Sequence, residues 1–202
     1  MNGRIIITML LALALLTAFP VTAGAEEAST LYVKKVENLP ENFIFGMDVS
    51  SVIAEENSGV RYCDFDGNEA DLFKVLANNG INTIRVRIWN DPYDAEGNGF
   101  GGGNCDAKRA GEIGRMAAQY GMKLLVDFHY SDFWADPGKQ MVPRAWQGME
   151  IGQKTEAVYE FTKDCLSQLK DAGVDVCMVQ TGNETNGAMC GEKTWFNIQY
   201  LM

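Results

Sequence analysis

Four apolar runs in this sequence each end in groups able to do chemistry. The run from Phe43 leads to Asp48 and Ser50, and Ile81 to Trp89 carries Arg85 and Arg87. Met122 to His129 carries Asp127 and His129, and Val174 to Thr181 leads to Asn183 and Glu184. Strand alternation puts Arg85, Arg87 and Trp89 on one face, with Val86 and Ile88 on the other. By the same rule Asp127, His129 and Ser131 share a face, and so do Gln180, Gly182 and Glu184. Charged groups turned into a closed barrel must pair or serve a ligand, because unpaired burial is costly. Four strand ends delivering polar groups to one mouth therefore predict a site. Aromatic residues add to it: Trp89, Tyr93, Phe100, Tyr130, Phe133, Trp134 and Trp146 follow the second and third runs, interspersed with Asp and Asn, Asp132 among them. Flat rings stack on the C–H faces of sugars while carboxylates and amides bind hydroxyls, so a carbohydrate ligand is expected.

The elements that must position these residues alternate. Strands are predicted to begin near residues 44, 81, 122 and 174. Apolar spacing predicts helices over 67–79, 106–120 and 152–172, closed by Gly80, Gly121 and Gly173, with another beginning at Trp195. Alternating strands and amphipathic helices mean an α/β fold with a parallel sheet and right-handed crossovers. A doubly wound sheet and a (βα)8 barrel both fit. The dinucleotide-binding version needs a GxGxxG turn after the first strand, and Asp48-Val49-Ser50-Ser51 is unlike it. Gly101-Gly102-Gly103 follows the second strand only after a long loop, a weak candidate for a phosphate cradle.

The chain has 202 residues, 47% of them hydrophobic, and a formal net charge of −10. That apolar content argues against disorder, and the acidic balance excludes a basic nucleic-acid-binding domain. Residues 4–25 read as a secretory signal peptide: Arg4, an apolar stretch from Ile5 to Phe19, then Ala23-Gly24-Ala25 before acidic Glu26 and Glu27. The stretch is short for a membrane span. A soluble, acidic, secreted protein is expected, with no membrane association after cleavage. Residues 26–42 read as an irregular leader and 43–202 as the folded domain. The five cysteines include no CxxC pair and there is one histidine, so no zinc site is expected. Export permits a disulfide among Cys63, Cys105 and Cys190; Cys165 and Cys177 read as small core residues.

Four segments carry a family resemblance. They are Gly46-Met47-Asp48-Val49-Ser50, Thr83 through Trp89, Asp127-Phe128-His129-Tyr130-Ser131-Asp132-Phe133-Trp134-Ala135-Asp136-Pro137 and Gln180-Thr181-Gly182-Asn183-Glu184. Together, and in this order, they resemble glycoside hydrolase family 53, the endo-β-1,4-galactanases that act on pectic galactan. The resemblance implies a (βα)8 TIM barrel of which this chain carries about the first four βα units. It implies that Glu184 is the acid/base, that Asn183 contacts the sugar 2-hydroxyl, and that an arginine ending the second strand, here taken as Arg87, supports the nucleophile. His129 and Asp48 match positions near the family's cleft, and Trp89, Asp132 and Trp134 complete the expected substrate-binding set.

A retaining glycosidase needs two carboxylates about 5–5.5 Å apart, one protonated and one ionised. The resemblance puts the nucleophile at the end of a seventh strand and the family's calcium loop beyond residue 202, so no metal or cofactor is assigned. Glu150, Glu156, Glu160 and Glu192 read as solvated charges. Four units occupy about 160 residues where a full barrel takes about 250. The 202-residue chain alone is therefore expected to be nearly inactive, with unpaired sheet edges. Two other readings remain: a non-catalytic carbohydrate-binding half barrel that self-associates, and a β-mannanase or cellulase of the same clan. The oligomeric state is not legible.

Overall fold

The computed structural model describes residues 34–193. Contacts divide the chain into units 1–41 and 42–202. In the first, residues 34–41 form no helix or strand. The expected signal peptide and the helix expected from Trp195 lie outside the described residues.

The second unit contains a four-stranded parallel sheet in the order β1-β2-β3-β4. Strand β1 is Gly46–Asp48, followed by the short helix α1 (Val52–Asn57) and then α2 (Leu72–Asn78). Next come β2 (Thr83–Ile88), α3 (Ala107–Ala118) and β3 (Lys123–Phe128). A 3-10 turn at Arg144–Trp146 precedes the long helix α4 (Ile151–Asp171) and β4 (Val176–Thr181). A small antiparallel pair, β5 (Ala188–Met189) and β6 (Glu192–Lys193), comes after it. Sequential parallel strands with helical crossovers are the barrel pattern and not the doubly wound one, whose strand order reverses.

Period two sorts the sheet into two faces. Ile84, Val86 and Ile88 of β2 and Leu124, Val126 and Phe128 of β3 are all buried and form one apolar layer. Ala110, Ile113 and Ala117 of α3 and Val158, Cys165 and Leu169 of α4 belong to the same core. Each buried Val, Leu, Ile or Phe among them contributes roughly 1.5–3 kcal/mol. Helix α3 lies close to the segment leading into β4: a Cβ on Gly114 would stand 2.7 Å from Val174. Side-chain caps start two of the helices, with Asp71 accepting from the Lys74 N–H and Asp106 from the Arg109 N–H.

Several expectations are corrected. Phe43 to Val49 is not one buried strand; only Gly46–Asp48 is extended, and Phe43, Ile44, Phe45 and Met47 are 40–44% exposed. Cys177 is likewise exposed on β4. Among the described residues both β1 and β4 are edge strands of this sheet, each with a strand neighbour on one side. The helix expected over 67–79 starts at Leu72, because Asp64 first closes a turn by accepting from the N–H groups of Asp66 and Asn68. Helix α1 was unforeseen, too short to show periodicity.

All five cysteines are free, and Cys63 is exposed while Cys105 and Cys190 are buried, so the bridge expected among these three is absent. Burial pushes the thiol of Cys105 up to about 11 and those of Cys165 and Cys190 up to about 12. These thiols are unreactive, since the thiolate is the nucleophile.

Candidate active site

The polar groups meet at the carboxyl ends of the strands, and Arg85 is their hub. Its Nη1 donates to Asp48 Oδ2 on β1, and its Nη2 to Asp127 Oδ2 on β3 at 2.5 Å. Nε and Nη2 both donate to Gln180 Oε1 on β4 at 3.3 Å, and Nη2 also reaches Asn183 Oδ1 at 3.2 Å. One guanidinium therefore ties four strands together. The register explains the reach: Asp48 is opposite Arg85, and Asp127 is opposite Gln180 after a register shift near Leu124.

Asp48 is fixed from its own loop as well. The Ser50 N–H and hydroxyl donate to its Oδ1 at 3.0 and 2.6 Å. Burial pushes the Asp48 carboxyl upward, but the Ser50 hydrogen bonds and Arg85 outweigh it and hold the group below the usual carboxylate range. Asp127 is fully buried. Its Oδ2 also lies 3.0 Å from His129 Nε2, and its Oδ1 has no partner among the described residues.

Arg87, expected nearest the mouth, is instead buried at 6% exposure. Its Nη2 donates to the Ser51 hydroxyl at 3.0 Å and the Gly102 carbonyl at 2.7 Å. The Trp134 ring lies over it, 4.1 Å from centroid to guanidinium carbon, a cation–π contact. Gly103 makes this loop possible. Its φ is +96°, and a Cβ there would stand 2.7 Å from the Ser50 carbonyl oxygen.

The aromatic set divides. Trp134 and Phe100 are 40% and 42% exposed and can face a ligand. Trp89, expected to bind substrate, is fully buried, packed edge-on to Trp134 and against Phe133. Tyr130 and Trp146 belong to the opposite, helix-covered face, where each packs on Phe161. Asp132 is committed to its loop: its carboxylate accepts from the Arg144 N–H at 2.8 Å and pairs with Arg144 Nε at 3.3 Å. His129 is 1% exposed with both ring nitrogens engaged.

Beyond β4 the chain breaks alternation. Strand β4 ends at Thr181, and Gly182 has φ +87°. Asn183 thus turns toward Arg85 and Gln180, while Glu184 does not continue the Gln180 face. Glu184 has φ +50°, uncommon for a residue with a Cβ and a recurring feature of functional sites. Its side chain is exposed. Gln140, from the loop after β3, clamps this turn by donating to the Asn183 carbonyl at 2.7 Å and more weakly to the Glu184 carbonyl at 3.4 Å.

Sequence reasoning missed Arg85 as the hub, and it missed Gln140 and Gln180. The alternation that grouped Arg85 with Arg87 held the signal for the first, and Gln180 had been grouped with Glu184 on one face. Nothing in local spacing pointed to Gln140. Of the other glutamates, Glu192 accepts from Lys154 at 2.5 Å, Glu160 pairs with Lys163, and Glu150 begins α4 with its N–H donating to Gln153. Among the described residues no group of three or more His, Cys, Asp or Glu is arranged to hold a metal.

This geometry has relatives. Residues 44–201 match the family model described as glycosyl hydrolase family 53. The chain is 54% identical over 174 residues to the endo-beta-1,4-galactanase of Bacillus subtilis, covering 86% of this chain and 41% of that protein. It is 38% identical over 161 residues to the arabinogalactan endo-beta-1,4-galactanase of Humicola insolens, covering 78% and 46%. The catalytic domain of an Ignisphaera aggregans family 53 enzyme superimposes with a TM-score of 0.78 at 40% identity, covering 84% of this chain and 48% of that one. The chain spans somewhat under half the length of these proteins. On the strength of this match, the chain belongs to glycosyl hydrolase family 53 and carries about four βα units of its barrel.

Proposed function

We propose that the protein cleaves β-1,4-galactosidic bonds of galactan or arabinogalactan with retention of configuration, and that Glu184 is its acid/base. One observation carries the reading. Asn183 is held by two strands and a loop, while the adjacent Glu184 carboxyl stands exposed at the mouth. In this reaction Glu184 gives its proton to the glycosidic oxygen as that bond breaks. A second carboxylate attacks the anomeric carbon. Glu184 then takes a proton from the water that releases the covalent sugar.

The second carboxylate is not identified among the described residues: Glu160 and Glu192 pair with Lys163 and Lys154, and Glu150 sits at the start of α4. We assign the nucleophile to a residue outside them. Trp134 and Phe100 offer the exposed aromatic surface for sugar rings. Arg85 is the better candidate than Arg87 for holding a nucleophile ionised, because it reaches the mouth while Arg87 lies beneath Trp134. Residues 1–25 fit a secretory signal, and export suits an enzyme for a polymer too large to enter cells.

The test is product release from β-1,4-galactan, β-mannan and cellulose, with anomer detection on the first products. Galactan-selective release of β-anomers supports the reading. Selective release from mannan or cellulose would replace the substrate, and galactan binding with no hydrolysis by a protein that also carries the second carboxylate would make it a carbohydrate-binding module.

A further inference from the structure

His129 looks at first like a ligand of the cleft, because it closes β3 on the same face as Asp127. Its surroundings leave it no such freedom. It is 1% exposed, and the rings of Trp89 and Trp134 lie edge-on to it at 6.1 and 5.8 Å. Its Nδ1 accepts the N–H of Ala135 at 3.0 Å. A nitrogen that accepts carries no proton, so the imidazole is neutral and its proton sits on Nε2. That nitrogen stands 3.0 Å from Asp127 Oδ2, the charge that favours a proton on it. Asp127 is held in turn by Arg85.

Ala135 passes this constraint on. Its residue is buried, and its carbonyl accepts from Asn183 Nδ2 at 2.8 Å. At the other end of the same amide, Asn183 Oδ1 accepts from Arg85 Nη2 and Gln180 Nε2, both at 3.2 Å. An amide oxygen has two acceptor positions and the nitrogen two protons. Both acceptor positions are filled and one proton is committed. Among the described residues a single N–H of Asn183 is left for a ligand, and a flip of the amide would break three hydrogen bonds.

We propose that His129 is a positioning residue: a neutral Nε2–H imidazole that anchors Ala135 and so fixes the one free Asn183 N–H toward the sugar. Two hydrogen bonds, from the Ala135 N–H to His129 Nδ1 and from Asn183 Nδ2 to the Ala135 carbonyl, then link the imidazole beside Asp127 to the amide of Asn183. The ligand-facing donor is the amide, and the imidazole never meets the sugar.

His129 is the one histidine in the sequence, which makes the proposal directly testable. Nitrogen-15 histidine labelling of the 202-residue chain reports a single imidazole. The expected spectrum at neutral pH has a protonated Nε2, coupled to both ring carbon-bound protons, and an unprotonated Nδ1. A proton on Nδ1, or on both nitrogens, would overturn the proposal. The second arm rests on the galactanase reading. His129→Leu should lower kcat on galactan by about 10–100-fold with KM within about twofold, as misplacement of a catalytic group does. His129→Asn retains an acceptor near the Nδ1 position and should recover part of that loss. A rise in KM alone would mean direct sugar contact and defeat the proposal. The kinetic arm is measured in a protein that also carries the second carboxylate; should that protein cleave no galactan, the galactanase reading fails and the nitrogen spectrum decides this one. A misfolded Leu variant leaves the spectrum and the Asn variant to decide.

Discussion

Val126 and Val179 are register partners on neighbouring strands, yet Val126 is fully buried and Val179 is 37% exposed. The same contrast runs through the polar face: Asp127 is fully buried, while its partner Gln180 is only half-buried. The centre of the sheet, β2 and β3, has a strand on each side and helices α3 and α4 over it. The end of β4 has one strand neighbour and a turn at positive φ. Frame and chemistry are thus separated. The central strands fix Arg85, Asp127 and His129 by mutual hydrogen bonds. The edge strand ends in the exposed Glu184, steadied from outside by Gln140 and Arg85 acting on Asn183.

Substitutions should break this contrast in order of size. Glu184→Gln removes the proposed proton donor, whose side chain has no partner among the described residues, so in a protein that also carries the second carboxylate galactan turnover should fall by about 10²–10⁴-fold with an unchanged denaturation midpoint. Retained turnover would take the acid/base role away from Glu184. Val126→Ala should cost about 2–3 kcal/mol in urea unfolding, and Val179→Ala less than about 1 kcal/mol. Equal losses would mean that β4 is as well covered as β3. Gly103→Ala should cost about 1–3 kcal/mol, since it opposes both a φ of +96° and the Ser50 carbonyl. It should also loosen the loop whose Gly102 carbonyl holds Arg87, visible as a change in tryptophan fluorescence.

The smallest effect is titration of Asp48. Its carboxyl is held below the ordinary range in the folded chain, so the native state binds fewer protons than the unfolded state as pH falls. Its stabilising contribution is complete above the usual carboxylate range and is lost as pH drops through the lowered value. Asp48→Asn should therefore lower stability at neutral pH, leave the value below the lowered range nearly unchanged, and so flatten the acid limb of a stability–pH curve. An acid limb identical to that of the wild type would remove Asp48 from the network.

Much of the fold was legible because period is a local property. The alternation in Thr83 to Ile88 and the helical spacing after Asp106 and Ile151 can be read within one segment. The order of the strands followed from their alternation with helices. Burial at β1 and β4 was misjudged because Phe45, Met47 and Val179 look like core residues until their strands are seen at a sheet edge. Face assignments were sound inside β2 and β3. They failed after Thr181, where Gly182 ends the alternation. Trp89 and Trp134 could not be told apart as sequence letters, though one is buried and the other forms the exposed surface over Arg87.

By itself the sequence determined the βα order, the residue types brought to the strand ends, and the motifs that mark family 53. These depend on neighbours a few positions apart, where backbone geometry dictates direction. Only the tertiary structure decided which of two like arginines becomes the hub and which is sealed beneath an indole. It likewise decided that His129 spends both nitrogens on the protein, and that Gln140 secures a turn 43 residues away. Those outcomes arise from register between strands and from loops that fold back over them. A buried polar group takes whichever partner space provides, and distance along the chain says nothing about which one that is.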